Sequence, residues 1–284
     1  MERIDLHTHT LASDGSDAPA DVVCKAAALG LRAVAVTDHD TFAGLPEARA
    51  AGQRCGIEVV PGVELSTVWG GEEVHLLGYF MDTEDTALRA LMTRATDERN
   101  ARNETMVQRL HDAGYPITMD DLHAAFPGQT VLGRPHIAAL LVQRGCIASV
   151  PDGMRGLLGR GKEFYVPRYN VPLEDFTRAL RAAGGVPVVA HIFKYRFDDA
   201  QRAAMLSAAD AGALGVEVHY TTYTPEQTAA AQALAERFGL APSGGSDYHG
   251  LRKPDIALGS GRGGLRVPYA WLAGLKALAG PGRV

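Results

Sequence analysis

Two histidines near the start of the chain, His7 and His9, are separated by one residue, and Asp14 follows five residues later in a polar loop. Side chains alternate along an extended chain, so the two imidazoles point to the same face. The carboxylate can fold back toward them, which makes the three groups candidate metal ligands. Because His-x-His also arises by chance on surface strands, the pattern acquires meaning only if further ligands follow.

Further ligands do follow, each at or beside the edge of a short apolar, strand-like segment. A structural role is the commoner explanation for any one of them, but scattered histidines would not favour strand ends so consistently. Imidazoles and carboxylates without thiolates favour catalytic Mn²⁺, Fe²⁺ or Zn²⁺ over structural zinc. With the first three residues they make nine candidates, too many for one ion and enough for two or three. The additional candidates are His39, Glu64, His75, His191, Asp247 and His249.

Composition indicates an ordinary globular enzyme. The 284 residues are 46% hydrophobic and 21% charged, and the net charge of −5 argues against general nucleic-acid binding through bulk basicity. The isolated cysteines Cys24, Cys55 and Cys146 indicate neither a disulfide framework nor a structural zinc site. The N-terminal residues do not resemble a signal peptide, and no apolar run is long enough to span a bilayer. We therefore expect a cytoplasmic protein with no membrane association.

Short apolar strands alternate with helical segments, and glycines stand at the junctions. This alternation predicts parallel β/α units, and ligands from several strand ends favour a β/α barrel with its chemistry at the C-terminal face over an open sheet. The predicted strands are 4–9, 33–37, 57–60, 186–190, 215–220 and 240–243. The predicted helices are 19–29, 44–55, 173–183, 199–211 and 225–238.

Residues 87–168 interrupt this alternation with helical periodicity and little strand character. We assign 100–168 to a small helical insertion that caps the barrel mouth, with helices near 119–125, 134–144 and 151–160, and we assign 1–99 and 169–284 to the barrel. From residue 128 to 168 there are six basic residues against two acidic ones. A solvated helical face would explain any single arginine, but the excess suits an anionic substrate. The basic residues are Arg134, Arg144, Arg155, Arg160, Lys162 and Arg168.

A metal cluster below a basic cap predicts hydrolysis of a phosphate ester. Metal ions held about 3.5–4 Å apart can clamp the attacking and leaving oxygens while lowering the pKa of a bridging water. The cationic cluster attracts an anionic substrate, and the basic residues of the insertion would hold its phosphate oxygens at the entrance.

The candidate ligands lie in six short motifs along the chain. The motifs are His7-x-His9 with Asp14, Thr37-Asp38-His39, Pro61-Gly62-Val63-Glu64, His75 before Leu77-Gly78-Tyr79, Ala190-His191 and Ser246-Asp247-x-His249. In order and across nearly the whole chain, these motifs resemble those of the PHP (polymerase and histidinol phosphatase) phosphoesterases. The resemblance implies a distorted (β/α)7 barrel, an α/β fold, with a trinuclear metal centre that we expect to hold Mn²⁺, with Fe²⁺ or Zn²⁺ as alternatives.

The family pattern also implies how the ligands divide among three ions, with one carboxylate bridging two of them. The first ion is assigned His7, His9, Glu64 and Asp247; the second Glu64, His75 and His191; and the third Asp14, His39 and His249.

The insertion resembles the subgroup that contains 3′,5′-nucleotide bisphosphate phosphatases and RNase AM. The segments Gly133-Arg134-Pro135-His136 and Gly161-Lys162-Glu163-Phe164 carry this resemblance. It implies that Arg134 and Lys162 bind phosphate, and His136 is a further candidate although helix packing explains it nearly as well. Relatives commonly have proline after Ala190-His191, whereas this chain has Ile192, so the following loop is expected to differ in shape.

Three further polar residues lie near the predicted ligands. His219 ends the segment Val216-Glu217-Val218 and would face the barrel mouth. We favour a substrate-binding or structural role for His219 over metal binding. Asp5 and Asp38 are predicted to orient imidazoles through the nitrogen that faces away from the metal.

The resulting hypothesis is a phosphatase that removes the 3′-phosphate of a nucleoside 3′,5′-bisphosphate such as pAp through attack by a metal-activated hydroxide. Asp14, His249 and Arg134 are the predicted catalytic residues, and Arg134, Lys162, His136 and His219 the predicted substrate-binding residues. Alternatives are 5′-to-3′ hydrolysis of short oligoribonucleotides, a histidinol phosphate phosphatase, an amidohydrolase, and a catalytically silent metal-binding module. No obligate protein partner is indicated.

Overall fold

The computed structural model describes residues 2–167, 170–208 and 212–282. Within them, short strands rich in valine and alanine alternate with amphipathic helices. The strands are β1 (Arg3–Asp5), β2 (Ala33–Val36), β3 (Glu58–Trp69), β4 (Glu72–Tyr79), β5 (Val171–Pro172), β6 (Val186–Val189), β7 (Gly215–Tyr220), β8 (Ala241–Gly245) and β9 (Val267–Pro268). The helices are α1 (Pro19–Ala28), α2 (Leu45–Cys55), α3 (Thr86–Asp112), α4 (Met119–Ala125), α5 (Arg134–Gln143), α6 (Val150–Gly156), α7 (Leu173–Ala182), α8 (Asp199–Ala208), α9 (Pro225–Phe238) and α10 (Tyr269–Leu278).

Seven strands form a nearly closed barrel in the order β8-β7-β6-β4-β3-β2-β1. The ring closes where the Leu6 amide donates to the Gly244 carbonyl at 3.1 Å and the His9 amide donates to the Tyr248 carbonyl at 2.8 Å. β9 lies outside the ring against β1, and β5 pairs with β3. The predicted α/β fold, a distorted (β/α)7 barrel, is confirmed.

The distortion is an antiparallel hairpin formed by β3 and β4. Gly70 and Gly71 make its turn with φ values of 56° and 77°, a conformation that glycine adopts without strain. β4 is also antiparallel to β6. The predicted strand 57–60 is therefore too short, because pairing with β4 extends it to Trp69, so that Glu64 and His75 lie inside strands instead of at their ends.

The apolar residues pack on both faces of the barrel strands. Along β2, Val34 and Val36 pack with the outer helices, whereas Ala33 and Ala35 belong to the interior cluster. Leu272 of α10 belongs to that interior cluster as well. The core thus occupies the shell and one end of the barrel, which leaves the opposite end for polar side chains.

The insertion has its own apolar core. Leu88 and Met92, in the first half of α3, pack with the barrel shell, whereas Met106 and Leu110 pack against α4, α5 and α6. The predicted division at residue 100 therefore falls inside a continuous helix, and the domain boundaries stay a prediction. Although α3 has 27 residues, none of the helices in the described part of the chain has the length and apolar character needed to cross a bilayer.

Cys24 of α1 and Cys55 of α2 form a disulfide, with Cα atoms 5.6 Å apart. The isolated cysteines were not expected to indicate a disulfide, and this pair corrects that expectation, because the packing of two helices brings together residues 31 positions apart. A disulfide is more common in oxidising compartments, so it bears against the expected cytoplasmic location, which stays a prediction.

Candidate metal centre

A single buried carboxylate, Glu64 in the middle of β3, lies at the centre of the polar end of the barrel. Its side chain is 1% exposed, and five imidazoles surround it. Its Oε1 atom lies 2.8 Å from His75 Nδ1 and 3.0 Å from His191 Nε2. Its Oε2 atom lies 3.1 Å from His9 Nε2, 3.2 Å from His7 Nε2 and 3.3 Å from His39 Nδ1.

Two aspartates and a sixth histidine extend this group. Asp247 Oδ1 lies 3.3 Å from His9 Nε2 and 3.4 Å from His249 Nδ1. Asp14 Oδ1 lies 3.2 Å from His249 Nε2, and its Oδ2 lies 3.9 Å from His39 Nε2. All nine residues predicted as metal ligands are thus brought together in one cluster.

Two of these residues adopt a left-handed backbone conformation that is rare outside glycine. His191 follows β6 with φ of 28°, and Asp247 follows β8 with φ of 58°. Such conformations cost about 1–3 kcal/mol each and persist where the surroundings impose them. Each residue lies two positions after the last residue of its barrel strand, where the backbone turns and the side chain joins the cluster. The sharp turn at His191 occurs without the proline that relatives have at the next position.

The cluster suits metal ions because it contains buried polar atoms that lack hydrogen-bond partners. In the described part of the chain these include His7 Nε2, both ring nitrogens of His9, Asp14 Oδ1 and His39 Nδ1. Leaving a buried polar atom unpaired costs free energy, which coordination to a cation would remove. Imidazole nitrogens and carboxylate oxygens are also the donor set of catalytic first-row metals.

Among the residues that the structure describes, three groups of ligand atoms lie close enough to hold an ion, each with its atoms within 4.8 Å of one another. The groups are His9, Asp14, His39 and His249; His7, His9 and Glu64; and His39, Glu64 and His75. The first group corresponds to the predicted third ion with His9 added, and the second to most of the predicted first ion. The last group differs from the predicted second ion in having His39 in place of His191. The ligand assignments and the number of ions stay predictions.

The carboxylates make the cluster strongly attractive to cations. Burial works against the charge on Glu64, but the surrounding imidazoles outweigh it and hold the pKa of Glu64 well below its usual range. Burial likewise opposes the charge on His9, yet Asp247 and Glu64 raise the pKa of His9 to about 9. Charged carboxylates that draw protons onto neighbouring imidazoles provide the field that would draw in a metal cation.

Glu217, in β7, is a functional residue that the sequence analysis missed. It is fully buried; its Oε1 atom lies 3.0 Å from His7 Nδ1, and its Oε2 accepts the His191 backbone amide at 2.8 Å. In the sequence, the charged residue between the apolar residues Val216 and Val218 was the sign that could have identified Glu217.

Asp5 and Asp38 do not take this role. They accept hydrogen bonds from backbone amides and hydroxyls, so the prediction that they orient imidazoles is wrong.

We expect Glu217→Gln to weaken Mn²⁺ binding about 10- to 100-fold, the usual cost of losing a partner that orients a ligand. Two donors face the two carboxylate oxygens, and an amide can accept from only one of them. Isothermal titration calorimetry on metal-free protein measures the dissociation constant. The exposed Glu226→Gln is the control, and unchanged Mn²⁺ affinity in Glu217→Gln contradicts the prediction.

A cavity of about 140 Å³ lies over the cluster. Asp14, His39 and His75 line it on the barrel side, whereas Arg99, Arg102 and Arg134 line it from α3 and the start of α5. Among the predicted catalytic residues, Asp14 and Arg134 therefore line the cavity, and His249 is not one of its lining residues. Metal ligands face three arginines across a space suited to a small anion.

His136 also lines the cavity, but it serves the fold at the same time. Its Nδ1 accepts the Gly133 backbone amide at 2.9 Å at the start of α5, and its ring packs against Phe126. Its Nε2 atom is buried without a hydrogen-bond partner in the described structure. Burial lowers the pKa of His136 to about 4, so the ring is neutral at physiological pH.

Two other predicted substrate-binding residues, Lys162 and His219, do not line the cavity. Lys162 is exposed. Arg168, one of the basic residues of the insertion, lies outside the described residues. His219 Nδ1 lies 2.7 Å from the Arg266 carbonyl and its ring 4.6 Å from Trp271, contacts that indicate a structural role. Arg99 and Arg102, which the sequence analysis did not select, occupy the cavity instead.

Comparisons of the sequence and of the structure with known proteins find a PHP domain and phosphoesterase relatives. The family model of the PHP domain matches residues 5–142. A 5′-3′ exoribonuclease of Haemophilus influenzae is 32% identical over 87% of this chain and 90% of its own length. A 3′,5′-nucleoside bisphosphate phosphatase of Chromobacterium violaceum is 34% identical over 88% of each chain. A solved structure from Bifidobacterium adolescentis, described as a metal-dependent phosphoesterase, superposes with a TM-score of 0.88 at 31% identity and covers 98% of this chain and 96% of its own.

Proposed function

The chain belongs to the PHP family and is a metal-dependent phosphoesterase, and from this premise we propose that it removes the 3′-phosphate from nucleoside 3′,5′-bisphosphates such as pAp. The bisphosphate phosphatase of Chromobacterium violaceum, at 34% identity over most of both chains, supports this substrate class. The observation that carries the proposal is the cavity in which ligand residues and three arginines face each other.

The proposed metal centre holds three ions, with Mn²⁺ as the metal we expect. His7, His9, Asp247, His75, His191, Asp14, His39 and His249 would hold them, with Glu64 shared between two. When bound, divalent cations activate water and neutralise charge on a phosphoryl group. Glu217 and the left-handed turns at His191 and Asp247 keep the ligands oriented before metal or substrate arrives.

Arginines in the cavity would bind the oxygens of the transferred phosphate. Arg134 lines the cavity with its guanidinium close to Glu73, at 3.7 Å, a separation that leaves its donors available to a stronger anionic partner. Arg99 is held by a buried ion pair with Asp40 and by a 2.8 Å hydrogen bond to Ser66. Two positioned guanidinium groups would stabilise charge on the phosphate oxygens as the ester bond breaks.

Hydrolysis of short oligoribonucleotides is the second candidate function. The exoribonuclease of Haemophilus influenzae matches the chain as closely as the phosphatase does, at 32% identity over 87% of the chain against 34% over 88%. Both substrates present a phosphate on a ribose 3′-oxygen, so the same cluster serves both, and only what lies beyond that phosphate differs.

We expect the Mn²⁺-loaded protein to convert pAp to AMP and inorganic phosphate. Chromatography of the nucleotide products and a phosphate assay measure the reaction, and a ladder of 5′-phosphorylated di- to pentaribonucleotides tests the second candidate. Adenosine 3′-phosphate as the product would show that the 5′-phosphate is removed and contradict the proposal. Cleavage of the ladder with no phosphate release from pAp would select the second candidate.

A further inference from the structure

A second cavity, of about 310 Å³, lies beside the one over the metal cluster. Glu73, Arg102 and Arg134 line both cavities, so the two spaces adjoin across these side chains. Small-molecule sites generally occupy about 300–1,000 Å³, and the second cavity falls at the lower end of this range. Neither the metal cluster nor phosphate binding accounts for the residues that line only the second cavity, among them Tyr165 and Asn170.

In the second cavity an aromatic ring lies next to the Arg134 guanidinium group. Tyr165 lines the second cavity, and the Arg134 guanidinium lies 5.7 Å from the centre of its ring. Nucleobases that are not paired stack on aromatic side chains and on arginine planes. Arg160 also lines this cavity, where it pairs with Glu72, another lining residue, at 2.7 Å.

The same cavity contains a buried amide oxygen that lacks a partner. Asn170 lines the cavity, and its Oδ1 atom is buried with no hydrogen bond in the described part of the chain. An unpaired buried acceptor costs free energy unless a ligand or water donates to it. The exocyclic amino group of a nucleobase is such a donor, and it would lie at the edge of a ring stacked nearby.

We propose that this second cavity is a nucleobase subsite, with Tyr165 and Arg134 as the stacking surface and Asn170 as the hydrogen-bond acceptor for the base edge. The inference rests on the proposed function for the identity of the ligand as a nucleotide. A nucleotide whose 3′-phosphate lies over the metal cluster would extend past Arg134 and Arg102 into the adjoining cavity. In this proposal the subsite binds the base and determines which bases the enzyme prefers.

Binding of AMP and of ribose 5-phosphate, which lacks the base, tests the subsite without turnover. Isothermal titration calorimetry is performed with Mn²⁺ present. We expect wild-type protein to bind AMP at least about tenfold more tightly than ribose 5-phosphate, and Tyr165→Leu to remove most of this difference, because stacking on an aromatic ring contributes about that much. Tyr269→Leu, the same change on the far side of the barrel, is the control.

Inosine monophosphate, which lacks the 6-amino group, tests the role of Asn170. We expect wild-type protein to bind AMP about three- to tenfold more tightly than inosine monophosphate, and Asn170→Ala to bind the two equally. Equal binding of the two nucleotides by wild-type protein overturns the assignment of Asn170 as the acceptor for an amino group.

Different experimental results would contradict the proposed subsite and the proposed function. If AMP binds no more tightly than ribose 5-phosphate, or if Tyr165→Leu and Tyr269→Leu bind AMP equally well, the base subsite is wrong whatever the enzyme hydrolyses. If AMP binding depends on Tyr165 but pAp is not hydrolysed, the subsite holds and the proposed reaction is wrong.

Discussion

Glu64→Gln is expected to lower kcat/KM for release of phosphate from pAp by about a thousandfold or more. Five imidazoles converge on this carboxylate, and it is the only residue assigned to two of the proposed ions. An amide keeps the shape but loses the negative charge that draws cations into a buried site. Loss of metal that supplies several kcal/mol of charge stabilisation corresponds to about three powers of ten or more in rate.

Two measurements separate this prediction from a failure to fold. Metal content by mass spectrometry should fall in Glu64→Gln, whereas circular dichroism should stay that of the wild type. The control is Glu58→Gln in the same strand, because Glu58 pairs with Lys276 and Tyr269 away from the cluster. A Glu64→Gln protein with wild-type metal content and rate would show that the carboxylate is not a shared ligand.

Much of the cluster could be predicted because its residues lie in local sequence patterns. His-x-His on an extended segment and Ser246-Asp247-x-His249 after a strand each place a ligand by short-range geometry. The barrel brings strand ends together, so correct local patterns were sufficient to predict which residues meet. Helix bounds were similarly accessible, since α4 and α9 begin and end at the predicted residues.

The residues that were missed depend on contacts distant in sequence. Glu217 reaches His7 across 210 positions, and only the closure of the barrel places them side by side. Arg99 and Arg102 lie in the polar middle of α3, between the apolar residues at its two ends, so their burial is not evident from residue type. Lys162, which a family motif identified, is exposed and does not line the cavity, and its role in phosphate binding stays a prediction. The antiparallel hairpin also lay outside the expected β/α alternation.

The second large effect concerns stability and the contact between α3 and the barrel. Arg99 forms an ion pair with Asp40, and both residues are buried, at 8% and 3% exposed. Asp40 also accepts the Ser66 backbone amide at 2.8 Å, which ties the pair to the strand that carries Glu64. Burial of two charges is stable only while each compensates the other.

Arg99→Met is therefore expected to lower the free energy of unfolding by about 3–5 kcal/mol, because it leaves the Asp40 carboxylate buried beside an apolar side chain. Urea denaturation followed by circular dichroism measures the loss. The double variant Arg99→Met/Asp40→Asn should recover part of it, since removing the second charge lowers the cost of burying the side chain at position 40. The exposed pair of Arg178 and Asp175 provides the comparison, and Arg178→Met should change stability by less than about 1 kcal/mol. If Arg99→Met proves as mild as Arg178→Met, the buried pair does not join the insertion to the barrel, and the position of Arg99 over the cluster must be maintained by the packing of α3 alone.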